Sequence, residues 1–282
     1  MRISPTGMRR PTTAGRVCDV EVALTQARSW AVRRLVATAA IALAAVAFFA
    51  VVANQALISA MLIAVFGTAR DPVFPTPLLT LTLQHIAIVA ISSALTLLVG
   101  LPLGVWVTRE SGRDFRDIVS ASVDFGQVFP PIAVLALMLP VLGIGLWPAV
   151  VALFLYGLFP VVSSTVAGLD AVPEAVVDAA RGMGMGRWRI LFAVELPLAL
   201  GVIMAGIRTS VIINVGTAAV AAATGAGGLG LPIFTGISTQ NMGYVVEGAL
   251  TVSALALLID GSLAVLTAWL EPAGLDAGWL KP

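Results

Sequence analysis

Residues 173–197 read PEAVVDAARGMGMGRWRILFAVELP and lie in the longest charged segment, 169–196, between two apolar runs. The upstream run covers about 147–168 and the downstream run about 198–222. Each is long enough to cross a bilayer, which takes roughly 20 apolar residues. The chain as a whole has 282 residues, of which 59% are hydrophobic and only 11% charged. A soluble globular domain carries about 25% charged residues. This composition excludes a disordered chain, a collagen and an ordinary soluble enzyme, and it points to an all-α membrane protein crossing the bilayer several times.

Working outward gives about six spans. Residues 35–66 contain no charge; the first span lies at about 35–55, with 56–66 extending it or lying at the interface. Gly67, Pro72, Pro75 and Pro77 mark a loop. A second span covers 78–107, with Pro102 expected to kink its end, and a third covers 120–141 with Pro130 and Pro131 inside. The turn Gly143-Ile144-Gly145 leads to the fourth, and 198–222 and 244–270 are the fifth and sixth. Lys and Arg set the orientation. Residues 1–34 hold seven, 109–116 three, 181–189 three and the tail one, Lys281. With the N-terminus in the cytoplasm these all fall inside, Arg70 alone falls outside, and Arg208 lies within a span. Both termini are therefore expected in the cytoplasm, and so is the 169–196 segment.

Several chemistries are excluded. The single lysine, Lys281, is followed by Pro282, so no phosphate-binding Gly-x-x-x-x-Gly-Lys loop exists; ATP must be bound by another subunit. Cys18 is the one cysteine and His85 the one histidine, too few for a metal site, and no catalytic residue or cofactor is expected. His85 is expected to hydrogen-bond a neighbouring helix. Gly225, Gly227 and Gly230 match Gly-x-Gly-x-x-Gly, but a membrane span precedes them where a dinucleotide site needs a strand. With Gly228 they are expected to pack backbone tightly at the external mouth, with a contribution to a gate. Glu247 is expected to be solvated. Trp30, Trp106, Trp147, Trp188, Trp269 and Trp279 fall near span edges, as an interfacial belt does. Arg208 and Asp260 each lie about 15 Å from the cytoplasmic ends of their spans, placed to pair or to find separate partners. Charges in spans face the bundle interior, so both are candidates for the path.

In the opening stretch, Asp178-Ala179-Ala180 is followed by three residues, Gly184, nine residues, Val194, one residue and Leu196-Pro197. This resembles the EAA loop of binding-protein-dependent ABC importer permeases, with Asp for Glu and Val for Ile. Physically, the small Ala179 and Ala180 present a flat face to a partner, Gly184 permits a sharp turn, and Pro197 restarts a helix. Residues 76–270 resemble the permeases of the glycine betaine/carnitine/choline class. The matching stretches are GLPLG at 100–104, QVFP at 127–130 including Gln127, IMAGIRT at 203–209 and GAGGLG at 225–230.

The resemblance implies a MetI-like permease bundle in a bacterial plasma membrane. Its implied partners are a cytoplasmic ATP-binding subunit dimer, a second permease subunit and a separate extracytoplasmic binding protein, with no nucleic acid. Residues 1–34 are then a cytoplasmic segment, 35–66 an added membrane helix, 76–270 the permease domain and 271–282 a cytoplasmic tail. Methionine-type permeases share the loop and compete as a reading of the cargo. An ion-coupled secondary transporter is the alternative of a different class, though no inverted repeat is visible.

Overall fold

The computed structural model describes residues 13–66 and 73–270; the side chains of 13–30, 55, 59, 65, 66, 124, 126 and 127 are outside the description. Arg70, Lys281 and the 271–282 tail therefore fall outside it, as do the side chains of Cys18 and Trp30. The described chain is helical: α1 (Thr13–Ala53), α2 (Gln55–Phe66), α3 (Leu78–Val107), α4 (Arg116–Val128), α5 (Pro131–Leu142), α6 (Leu146–Asp170), α7 (Glu174–Gly182), α8 (Arg187–Ile190), α9 (Leu196–Ala221), α10 (Gly230–Ser238) and α11 (Met242–Leu270). Among the described residues, five helical stretches are long and apolar enough to cross a membrane: 31–53, 78–107, 146–170, 187–224 and 242–270.

The expected third span is not one helix but two, α4 and α5, both packed along α6. The break follows from Pro130-Pro131. A residue before proline is pushed out of the α region, and Phe129 and Pro130 are extended, with ψ of 135° and 137°. A carbonyl freed inside a membrane needs a partner. Here the Tyr156 hydroxyl on α6 donates to the Phe129 carbonyl.

The expected fifth span also begins earlier than position 198. Pro197 has no N–H to give to the carbonyl four residues back, and its ring crowds that carbonyl. The helix is not interrupted there; it widens into a π-turn at Leu191–Glu195, where the Leu196 N–H donates to the Leu191 carbonyl. One continuous helical rod thus runs from Arg187 to Thr224. Pro197 lets it through in a widened form and does not restart it.

The core is α3, α6 and α9, held close by small residues. Gly100 and Gly104 on α3 face Val161 and Thr165 on α6, where an added Cβ would come within 2.9 and 2.7 Å of side-chain atoms. Gly206 on α9 lies against Ser164 and the Pro160 carbonyl of α6 so tightly that no Cβ fits. Small residues at such crossings let backbones approach where lipid gives no hydrophobic drive. Buried polar groups stitch the same crossings. Ser210 Oγ donates to the Gly157 carbonyl at 2.9 Å, Asn214 Nδ2 to Ser93 Oγ at 3.2 Å, and Thr96 Oγ1 reaches the Phe154 carbonyl at 3.3 Å.

Helix α1 packs on α11 at the edge of this core, with Ile41 over Gly261. It is a single 41-residue helix that begins well before position 35, and α2 turns away from it at Asn54. The Arg34 guanidinium sits 5.7 Å over the Trp269 ring, so the start of the apolar part of α1 and the C-terminal end of α11 lie at one end of the bundle.

Candidate functional site

At that same end the chain builds a charged layer around α7 and α8. Pro173 precedes α7, where its missing N–H costs nothing, and Glu174 occupies the first turn. The helix ends in a Schellman cap. Gly184 is left-handed (φ +79°), its N–H bonds the Arg181 carbonyl at 2.9 Å, and the Met185 N–H reaches back to the Ala180 carbonyl at 3.2 Å. The reversal folds α8 onto α7, so Val177, Ala180 and Ile190 bury one another, flanked by Val172, Met185 and Val194.

Ala179 and Ala180 therefore do not share an outward face. Ala179 is exposed, whereas Ala180 is only 2% exposed and belongs to the loop's own small core. The cause is the helical period: with Val177 facing inward, the residue three positions on faces inward too. The outward surface consists instead of Val176, Ala179, Met183, Trp188 and Phe192 among Asp178, Arg181, Arg187 and Arg189. Met183 and Trp188 are 75% and 63% exposed. Asp178 pairs with Arg181 at 3.0 Å on the open surface.

Two ion pairs absent from the sequence reading tie this end of the bundle to the loop after α3 and to the start of α4. Arg109 reaches Glu195 at 2.8 Å, on the π-turn, and Arg116 reaches Asp170 at 2.5 Å. Opposite charges on two loops assigned to one side of the membrane were the available signal. Leu196 and Pro197 stand where the π-turn hands over to α9, so the coupling-loop residues lead directly into a long membrane helix.

The glycine-rich loop lies at the other end. Gly225, Gly227 and Gly228 all have φ near +80°. The Gly228 N–H bonds Gln84 Oε1 at 3.2 Å, and a Cβ on Gly228 would meet His85 Nδ1 at 3.2 Å. Gly230 is pressed against the Ala219 carbonyl. His85 is fully buried and its Nε2 lies 3.1 Å from the Val215 carbonyl of α9. The loop is thus clamped between α3 and α9. Glu247 is not solvated: it is 3% exposed, and its Oε2 accepts the Phe74 N–H at 2.8 Å, closing the segment before α3 onto α11.

The structure brings Arg208 and Asp260 together. Arg208 Nη2 and Nε donate to Asp260 Oδ1 at 2.7 and 3.1 Å, joining α9 to α11. Gln127 lies on α4, two residues before the extended break, and its side chain is outside the description.

Among the described residues, then, a helical bundle with several helices able to cross a membrane carries a charged two-helix loop that feeds directly into a membrane helix, an arrangement suited to the membrane component of a transport system. The chain belongs to the family of binding-protein-dependent transport system inner membrane components, whose model matches residues 100–273. It is 41% identical over 203 residues to the osmoprotectant import permease protein OsmW of Salmonella typhimurium, covering 70% of this chain and 94% of the relative. It is 40% identical over 199 residues to the glycine betaine/carnitine/choline transport system permease protein OpuCB of Bacillus subtilis, covering 71% and 91%. A chain of the MetNI methionine ABC transporter in inward facing conformations superposes with a TM-score of 0.61 at 26% identity, covering 67% of this chain and 94% of that one.

Proposed function

We propose that this protein is the permease subunit of an ABC importer for a small osmolyte such as glycine betaine, choline, carnitine or proline betaine. The observation that carries the reading is the α7–α8 unit: a capped, self-packed helical hairpin with an exposed apolar patch, continuous with α9 through the π-turn. A cytoplasmic ATP-binding subunit seats on Val176, Met183, Trp188 and Phe192. Its motion turns the 187–224 rod and opens the path to each side in turn. The chain itself performs no covalent chemistry and binds no nucleotide.

A second permease subunit completes the path, and a separate extracytoplasmic protein delivers the cargo. Gly225, Gly227, Gly228 and Gly230 close the external mouth. The distribution of Lys and Arg favours a cytoplasmic position for both termini and for the 109–117 and 169–196 segments. The permease domain runs over 76–270, with 35–66 as an added membrane helix and 1–34 and 271–282 as cytoplasmic ends. The names of relatives at 40–41% identity favour osmolytes over methionine, where the likeness is 26%.

The test is uptake in proteoliposomes holding this chain, its ATP-binding subunit and its binding protein. Glycine betaine should accumulate with ATP inside and no ion gradient. Uptake that instead follows a proton or sodium gradient, with ATP irrelevant, overturns the reading.

A further inference from the structure

Helices α9 and α11 carry three charged side chains: Arg208, Glu247 and Asp260. Glu247 is buried. Arg208 and Asp260 are not: their side chains keep 34% and 42% exposure. Asp260 stands ten residues before the end of α11, about 15 Å into the span. Charged groups at such depth face protein or a water-filled cavity and not lipid, because hydrocarbon solvates neither ion. The open side of this pair therefore faces water or another protein surface and not lipid.

The contact is also lopsided. Both Arg208 donors converge on Oδ1 of Asp260, leaving Oδ2 unused by the arginine. A half-open pair of this kind offers an anion and a cation side by side with no net charge. A solute with only a cation, or only an anion, would strand one partner inside the membrane, which is costly. A solute carrying both charges can meet Asp260 with its cationic end and Arg208 with its carboxylate, and no net charge enters the bilayer.

We propose that Arg208 and Asp260 form a transit site for a small zwitterion, an ammonium joined to a carboxylate, on the α9–α11 face. This rests on the permease reading above and narrows its cargoes to the zwitterions, glycine betaine, carnitine and proline betaine, setting choline, a cation alone, apart.

The experiment uses the full complex in proteoliposomes. Replacing both charges, Arg208→Gln with Asp260→Asn, keeps size and hydrogen bonding. Expected is at least a tenfold fall in glycine betaine uptake, with complex assembly and thermal midpoint unchanged. Uptake within twofold of wild type would mean that the pair only clamps the helices, and the proposal would fall. Should the double variant not assemble, Leu257→Cys in a Cys18→Ser background decides. Leu257 is 75% exposed and one turn before Asp260. A charged, water-soluble methanethiosulfonate should label it during turnover, and glycine betaine should slow that labelling. Labelling only by a membrane-permeant maleimide would place the face against lipid and overturn the site. Absence of uptake by the wild-type complex would count against the osmolyte reading, while thiol labelling still reads the site, with glycine as the zwitterion.

Discussion

Replacing Gly184 by alanine should loosen the α7–α8 hairpin through the backbone alone. Gly184 holds φ +79°, and a Cβ built there meets no atom within 4 Å. No steric contact contributes, so the cost is that of an L-residue held left-handed, about 1–2 kcal/mol. At about 1.4 kcal/mol per factor of ten, the hairpin's opening equilibrium should rise roughly tenfold. Amide hydrogen exchange reads this directly, because local opening sets the rate for the bonds it breaks. The Gly184 and Met185 amides, bonded to Arg181 and Ala180, should exchange about tenfold faster, while amides in α3, α6 and α9 stay unchanged. Gly182 supplies the control. It ends α7, also faces open space, and has no positive φ. Gly182→Ala should leave exchange equal or slower, since alanine favours helix by up to about 1 kcal/mol. Gly184→Asn should fall between, because asparagine tolerates the left-handed region. Unchanged exchange in Gly184→Ala, or equal acceleration in Gly182→Ala, would refute the capping argument.

Other positions give further expectations. Gly206→Ala should cost several kcal/mol through overlap with Ser164 and the Pro160 carbonyl, whereas Gly216→Ala on the same helix meets nothing and should be neutral; thermal midpoints in detergent compare them. Glu247→Leu strands the Phe74 N–H and should destabilise by about 1–3 kcal/mol, while Glu247→Gln keeps an acceptor and should lose little, measured by the same melts. Arg109→Met should destabilise the charged layer by about 1 kcal/mol at low salt and by less in 0.5 M salt, where the screening length falls to roughly 4 Å, a salt-dependent difference visible in exchange of the 187–196 amides.

Much of the bundle can be read from the chain, because apolar runs and their Pro and Gly boundaries are local signals. The breaks are harder. Pro130-Pro131 announces trouble in the third span, but that the chain tolerates a full break depends on the Tyr156 hydroxyl, which lies 27 residues away. Pro197 is equally visible, yet a proline can stop a helix or be accommodated in it, and only the structure shows the widening at Leu191–Glu195. Glu247 defeats hydropathy altogether: it accepts the backbone N–H of Phe74, 173 positions distant. In the coupling loop the residues and spacing are legible, while the direction Ala180 faces is set by the fold-back at Gly184. Arg208 and Asp260 could be placed at equal depth from their span lengths, and the packing of α9 on α11 makes that depth a contact.

The central claim is that the α7–α8 surface seats an ATP-binding subunit, and site-specific photocrosslinking in native membranes tests it most directly. A photoreactive amino acid at Met183 or Trp188, both outward, should capture an ATP-binding subunit, and one at Ile144, at the opposite end of the bundle, should not. Capture of that subunit from Ile144 but from neither loop position, or no such capture anywhere while the chain transports its cargo, would contradict the account.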